Sequence, residues 1–152
     1  MKKILSIANT VIAAALSLLG CSLEGPVEYG TPSADFIING KASSHSGKPV
    51  KNIAVVMRQN LGTDNEGRPV IARTDSTGTD NNGNYRVKDQ HRFPQAQTYQ
   101  LTFSDIDGEE NGAFKDTTLT VEFNNPQFAG GDGRWYSGET SKEANIQLRP
   151  EE

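Results

Sequence analysis

Tyr99-Gln100-Leu101-Thr102-Phe103-Ser104 decides the fold class. Tyr99, Leu101 and Phe103 alternate with Gln100, Thr102 and Ser104, a period of two that gives a strand one apolar and one polar face. Downstream, Leu119, Val121 and Phe123 alternate with Thr118, Thr120 and Glu122, and Ala144, Ile146 and Leu148 with Asn145, Gln147 and Arg149. Upstream, Tyr85 and Val87 form a short pair, and Val70, Ala72 and Thr74 alternate with Ile71, Arg73 and Asp75. Ile53, Val55 and Met57 share one face, as do Phe36 and Ile38. No stretch after Cys21 keeps apolar residues at helical spacing over several turns. Turn clusters separate the runs: Ser46-Gly47-Lys48-Pro49 between the first two, and Asp80-Asn81-Asn82-Gly83-Asn84 before Tyr85, where Asn-Gly supplies a positive φ. About seven short strands over residues 35–150 predict an all-β antiparallel sandwich.

The 152-residue chain has room for one such domain. Its formal net charge is −4, and loss of a leader carrying Lys2 and Lys3 leaves about −6, a sign that argues against nucleic acid and against polybasic membrane adhesion. A single cysteine excludes an intramolecular disulfide, a zinc site built on Cys pairs and a cysteine-held iron–sulfur cluster.

Residues 1–20 read as an export signal: Met1-Lys2-Lys3 is a positive start, and Ile4 to Leu19 is mostly apolar. The segment ends Leu18-Leu19-Gly20-Cys21, which resembles a bacterial lipobox. In that pattern the leader helix is cut before Cys21, whose thiol receives diacylglycerol. Several acyl chains on one residue anchor stably where one chain binds only marginally. Cys21 is thereby removed as a candidate nucleophile, and the membrane is reached through the N-terminal lipid. Ser22 rather than Asp follows, which by resemblance to lipoprotein sorting favours the outer membrane, with the periplasmic and surface faces both open. Residues 21–34 carry Gly25, Pro26, Gly30 and Pro32 and read as a flexible tether, spanning about 40 Å if extended.

Three stretches are candidates for chemistry. The densest acidic one is Asp105-Ile106-Asp107-Gly108-Glu109-Glu110-Asn111-Gly112, followed by Asp116. Asp105, Asp107, Glu109 and Asp116 could gather around Ca²⁺, which takes six to eight oxygens. The competing reading is a solvated acidic loop. It is not an EF-hand, since Glu110 stands where that loop needs Gly and the flanks read as strands. The second is Gly130-Gly131-Asp132-Gly133-Arg134-Trp135-Tyr136. Arg134, Trp135 and Tyr136 on a glycine-rich loop could stack on a glycan or a protein ligand. The alternative is that Trp135 folds over one end of the sandwich as a core plug. The third is the pair of histidines, His45 and His91, in loop-like contexts. No H-E-x-x-H or G-x-S-x-G occurs. His45 beside Ser44 and Ser46 reads as turn composition, and Asp80 as an Asx-turn residue rather than a general acid. The expectation is a non-enzyme that requires no cofactor.

Gly40-Lys41-Ala42, Gly47-Lys48-Pro49-Val50-Lys51-Asn52-Ile53-Ala54-Val55 and Thr79-Asp80-Asn81-Asn82-Gly83-Asn84-Tyr85 together resemble the carboxypeptidase-regulatory-like, transthyretin-like domain. That resemblance covers residues 35–88 and implies an immunoglobulin-like Greek-key scaffold rather than a catalyst. Over nearly the whole chain, Cys21, Glu28-Tyr29-Gly30-Thr31-Pro32, Gly47-Lys48-Pro49, the 105–112 stretch and Gly130-Gly131-Asp132-Gly133 with Trp135-Tyr136 resemble the radical-SAM-associated lipoproteins of Bacteroidetes. The resemblance implies a radical SAM enzyme as a genetic neighbour and possible partner. Three functions follow as expectations: an envelope lipoprotein binding a ligand or partner, a substrate modified by that enzyme before export, or a structural module of the cell surface.

Overall fold

The computed structural model describes residues 30–151. The lipobox, Cys21 and most of the tether lie outside the described residues. The fold is an all-β sandwich. Its strands are β1 (Ser33–Ser44), β2 (Ile53–Thr63), β3 (Pro69–Gly78), β4 (Asn84–Arg92), β5 (Gln97–Asp105), β6 (Thr117–Phe123), β7 (Ala129–Gly130), β8 (Tyr136–Glu143) and β9 (Ile146–Leu148). The first sheet has the order β4-β1-β8-β7, with β9 also pairing β1; the second is β3-β2-β5-β6. The chain crosses between the sheets repeatedly, so β4 returns beside β1 and β5 beside β2.

Each alternating run of the sequence is a strand. Two elements carry no such run. β7 has two residues, and β8 reads Tyr-Ser-Gly-Glu-Thr-Ser-Lys-Glu, with only Gly138 buried. β8 runs parallel to β1, as does β9; neither follows β1 directly along the chain, so no hairpin turn constrains either pairing to be antiparallel. β1 begins at Ser33, inside the stretch expected to be tether. Ser33 pairs with Tyr136, and Ala34 with Arg92.

The core lies where the inward faces meet. Phe36 of β1 packs edge-on against Phe123 (5.1 Å between centroids) and Phe128 (5.5 Å), and Tyr85 against Phe103 (5.3 Å). Perpendicular rings set a positive edge on a negative face, which adds to the gain from burial. Phe36, Tyr99, Leu101, Phe103 and Val55 are all fully or almost fully buried.

The Thr79–Tyr85 segment shows why those residues stand together. Thr79 Oγ1 donates to the Val50 carbonyl (2.8 Å) and accepts from the Ile53 N–H (3.0 Å), tying the start of β2 to the end of β3. Asp80 Oδ1 accepts from the N–H groups of Asn82 (2.9 Å) and Asn84 (2.8 Å), closing the turn as an Asx motif. Tyr85 points inward, its hydroxyl donating to the Ala144 carbonyl. Gly40 lies under that contact: a Cβ there would stand 2.1 Å from the Ala144 carbonyl oxygen. The same Asx turn recurs at Asp64, bonded by Glu66 and Arg68, and at Asp132, bonded by Arg134 and Tyr136.

Candidate functional site

β1 is the centre of the first sheet, and both strands beside it are irregular opposite Asp35. The β1–β4 register runs Ala34↔Arg92 and then Phe36↔Asp89, leaving an extra residue in β4; the β1–β8 register runs Ser33↔Tyr136 and then Asp35↔Glu139, leaving one in β8. These are β-bulges, which re-aim side chains. In β4 the bulge holds His91 at φ 56°; in β8 it holds Gly138 at φ 103°, where a Cβ would meet the Ala129 carbonyl oxygen at 2.1 Å.

Asp35 is 4% exposed and ties the two bulges together. Its carboxylate accepts from Lys88 Nζ (2.8 Å), the His91 backbone N–H (3.0 Å) and the Tyr136 hydroxyl (2.9 Å). Glu139 lies 3.7 Å from the same ammonium. Burial acts to raise the Asp35 carboxyl, but the Lys88 ammonium and the two other donors outweigh it and hold Asp35 below its ordinary value. Asp35 in turn raises Lys88, while burial and then Asp35 raise the Tyr136 hydroxyl.

Beyond this network the outer face of the sheet continues through Ile37, buried between its register partners Lys88 and Ser141. It then opens into a groove of about 1000 Å³ lined by Asn39, Lys41, Arg86, Ser141, Glu143 and Asn145, among others. The Asn145 carboxamide is fixed at both ends: Oδ1 accepts from the Lys41 N–H (2.8 Å) and Nδ2 donates to Glu143 (2.6 Å).

Of the residues expected to bind, Tyr136 belongs to this face. Trp135 is half-buried and outside the hydrophobic core, so it is not the core plug; its carbonyl accepts from the Ser33 N–H (2.7 Å). Arg134 lies on the exposed turn, its N–H bonded to Asp132. His91 is in β4 rather than a loop, and serves the site through its backbone N–H. His45 is exposed on the turn after β1.

The acidic stretch follows β5 and contains a 3-10 turn at Gly108–Asn111. Asp105 is engaged by backbone: Oδ1 accepts from Asp107 and Gly108 (both 3.1 Å) and Oδ2 from Phe114 (3.0 Å). Asp107 accepts from the side-chain amides of Asn52 (2.8 Å) and Asn111, which hold its carboxyl below the ordinary range. Among the described residues no three carboxylate, histidine or cysteine side chains gather as a metal set. Asp105 is turned onto backbone donors of its own loop, and Asp107 onto the side chains of Asn111 in that loop and of Asn52 before β2.

Sequence reasoning missed Asp35, Lys88 and a second buried carboxylate, Asp89, which accepts from Arg92 Nε (2.6 Å) and the Tyr99 hydroxyl (3.1 Å) inside the sandwich. Asp89 was readable: extending the Tyr85–Val87 alternation by two residues places it on the buried face.

No protein-family profile matches the chain, and no curated protein matches it. Solved structures of similar strand arrangement include 3-chlorocatechol 1,2-dioxygenase from Rhodococcus opacus (14% identity, TM-score 0.48, 91% of this chain and 78% of that one). Hydroxyquinol 1,2-dioxygenase from Pseudomonas putida is another (10% identity, TM-score 0.47, 99% and 77%). A third is BcpA, the major pilin subunit of Bacillus cereus (14% identity, TM-score 0.44, 78% and 31%). These likenesses are of strand arrangement alone, and no chemistry is transferred from them.

Proposed function

We propose that the chain is a non-enzymatic lipoprotein of the cell envelope whose sandwich binds a ligand or partner on the outer face of its first sheet. The observation that carries the reading is the roughly 1000 Å³ groove beside the Asp35 network. Its walls carry amide, hydroxyl and charged side chains, with the Asn145 carboxamide held between the Lys41 N–H and Glu143. The neighbouring titratable groups support binding over catalysis. Lys88 is held protonated, Asp35 ionised and the Tyr136 hydroxyl neutral, each shifted away from neutrality, where a general acid or base works best. The lipobox resemblance at Leu18–Cys21 supports anchoring, and Ser22 supports outer-membrane delivery.

The test has two arms in the native host. Cys21→Ala should move the protein from the membrane fraction to the soluble fraction, with lipid mass lost from the N-terminal peptide; unchanged membrane association sinks the anchor. Arg86→Ala with Glu143→Ala should abolish binding of whichever envelope glycan or peptide the wild-type chain retains. Peptide masses from cells with and without the neighbouring radical SAM enzyme decide the second reading. An enzyme-dependent shift away from Cys21 would make the chain a substrate instead. Concentration-dependent assembly would favour a structural module.

A further inference from the structure

The first residues of β1 enter the sandwich between two aromatic residues. On the β8 side the Ser33 N–H donates to the Trp135 carbonyl (2.7 Å). On the β4 side Ala34 pairs with Arg92, and Phe93 follows it in the chain. Trp135 is half-buried, and Phe93 is 50% exposed. Residues 93–96 lead from the end of β4 to the start of β5, so β5 begins at the same end of the sandwich. Gln59 is the last β2 residue in register with β5, opposite Tyr99, and the β2–β3 hairpin runs on past it. That extension carries Leu61, Val70 and Ile71, which are 52%, 41% and 50% exposed.

Among the described residues five large apolar side chains are exposed, and four of them, Leu61, Val70, Ile71 and Phe93, lie at this end. Singly such residues are ordinary; gathered at one end they mark a contact surface. The carboxylates of the β2–β3 turn are neutralised in part, since Asp64 and Glu66 both pair with Arg68 (2.8 and 3.0 Å). The fifth exposed residue, Ile106, lies after β5 at the opposite end, in the stretch that holds Asp105, Asp107, Glu109 and Glu110. One end is thus apolar and aromatic, the other acidic.

We propose that the end of the sandwich at which β1 begins rests on a phospholipid surface, with Phe93, Trp135 and the exposed residues of the hairpin at headgroup level. This rests on the lipid-anchor reading of Leu18–Cys21, and the anchor is what selects a lipid surface over a protein partner. Ser33 lies twelve residues after Cys21, at most about 40 Å of extended chain. An acylated Cys21 keeps this end, and not the acidic one, within that distance of the bilayer. A tethered contact forms at high effective concentration, so a few apolar side chains suffice. Tryptophan favours the membrane interface, and the acidic end is turned away from anionic headgroups.

Trp135 is the one tryptophan of the chain, so its fluorescence reads this end alone. The full chain as its host produces it is reconstituted into vesicles of phosphatidylethanolamine and phosphatidylglycerol, with or without lipids brominated near the headgroup end of their acyl chains. Trp135 emission should move to shorter wavelength, and the brominated lipid should quench it by about half or more. Quenching should fall at least about twofold in L61S/F93S and stay at the wild-type level in I106S. Both variants replace exposed side chains, so their thermal midpoints should stay level, which separates lost contact from lost fold. Absence of quenching, equal quenching in L61S/F93S, or an equal loss in I106S overturns the proposal. The mass of the N-terminal peptide from the same sample tests the anchor separately. If Cys21 carries no acyl chain, the anchor reading fails by itself. The chain is then coupled through Cys21, its only cysteine, to a maleimide lipid in the same vesicles, and quenching is judged by the same criteria. None of these outcomes bears on the groove of the first sheet, which is read out by the Arg86 and Glu143 variants.

Discussion

Asp35 and Lys88 meet across the first sheet at 2.8 Å, with the Asp35 side chain 6% exposed and the Lys88 side chain 29%. The carboxylate also accepts the bulged His91 N–H and the Tyr136 hydroxyl. One side chain of β1 thereby holds two neighbouring strands in their irregular register.

Replacing Asp35 should be costly. Asp35→Ala leaves the His91 N–H and the Tyr136 hydroxyl without their acceptor and the Lys88 ammonium with only Glu139 nearby, a loss of about 1–3 kcal/mol. Urea unfolding of D35A should show a midpoint lowered accordingly. A loss under about 0.5 kcal/mol, the range of ordinary surface changes, would deny Asp35 this role.

The same pair sets a pH dependence. The Asp35 carboxyl in the folded state lies below its ordinary 3.8. Its contribution is therefore full above that value and lost as pH falls through the lower folded value. Lys88 lies above its ordinary 10.5, so its contribution is full below that value and lost as pH rises through the folded one. Wild-type stability should keep this increment across the neutral range and shed it at both extremes. The difference between wild type and D35A, followed by urea midpoints against pH, should shrink at both ends. A constant difference would contradict the ion pair.

Gly40→Ala tests the approach of β1 to the Tyr85–Ala144 contact. With backbone oxygen 2.1 Å from the new Cβ and the Tyr85 ring at 2.7 Å, the strand must shift, at a cost of about 1–3 kcal/mol. Gly47→Ala is the contrasting variant. Nothing lies within 4 Å of its Cβ, and its only strain is the positive φ. G40A should be the less stable of the two in thermal melts; the reverse order would remove the close approach as the reason for glycine at position 40.

Asp105→Ala should loosen the loop after β5, since three backbone N–H groups lose their acceptor. The expected loss is about 2 kcal/mol, with faster amide exchange at Phe114. Because those carboxylate oxygens are already engaged, millimolar Ca²⁺ should leave the thermal midpoint of wild type and D105A alike. A calcium-dependent rise in wild type that D105A abolishes would instead support calcium binding at this loop.

Much of the site was illegible in the sequence for one reason. Alternation reports which face of a strand is apolar, and it is silent where a strand's buried positions are filled by glycine and hydrogen-bonded polar groups. β8 is such a strand, so Tyr136 read as part of a loop. Asp35, next to the apolar Phe36-Ile37-Ile38, gave no sign of its partners, because Lys88 and Tyr136 are 53 and 101 residues away.

By itself the sequence determined the strands whose inward faces are built from large apolar residues, and the turns whose Asp side chains close on their own backbone, as at Asp80. Both are local: a period of two, and hydrogen bonds reaching two to four residues along the chain. Only the tertiary structure decided which strands became neighbours, that β8 and β9 run parallel to β1, and where the ladders bulge. Those choices depend on groups distant in sequence competing for the same donors and acceptors. A bulge of one residue exchanges the faces of a strand, which is why Asp35 reaches both its neighbours.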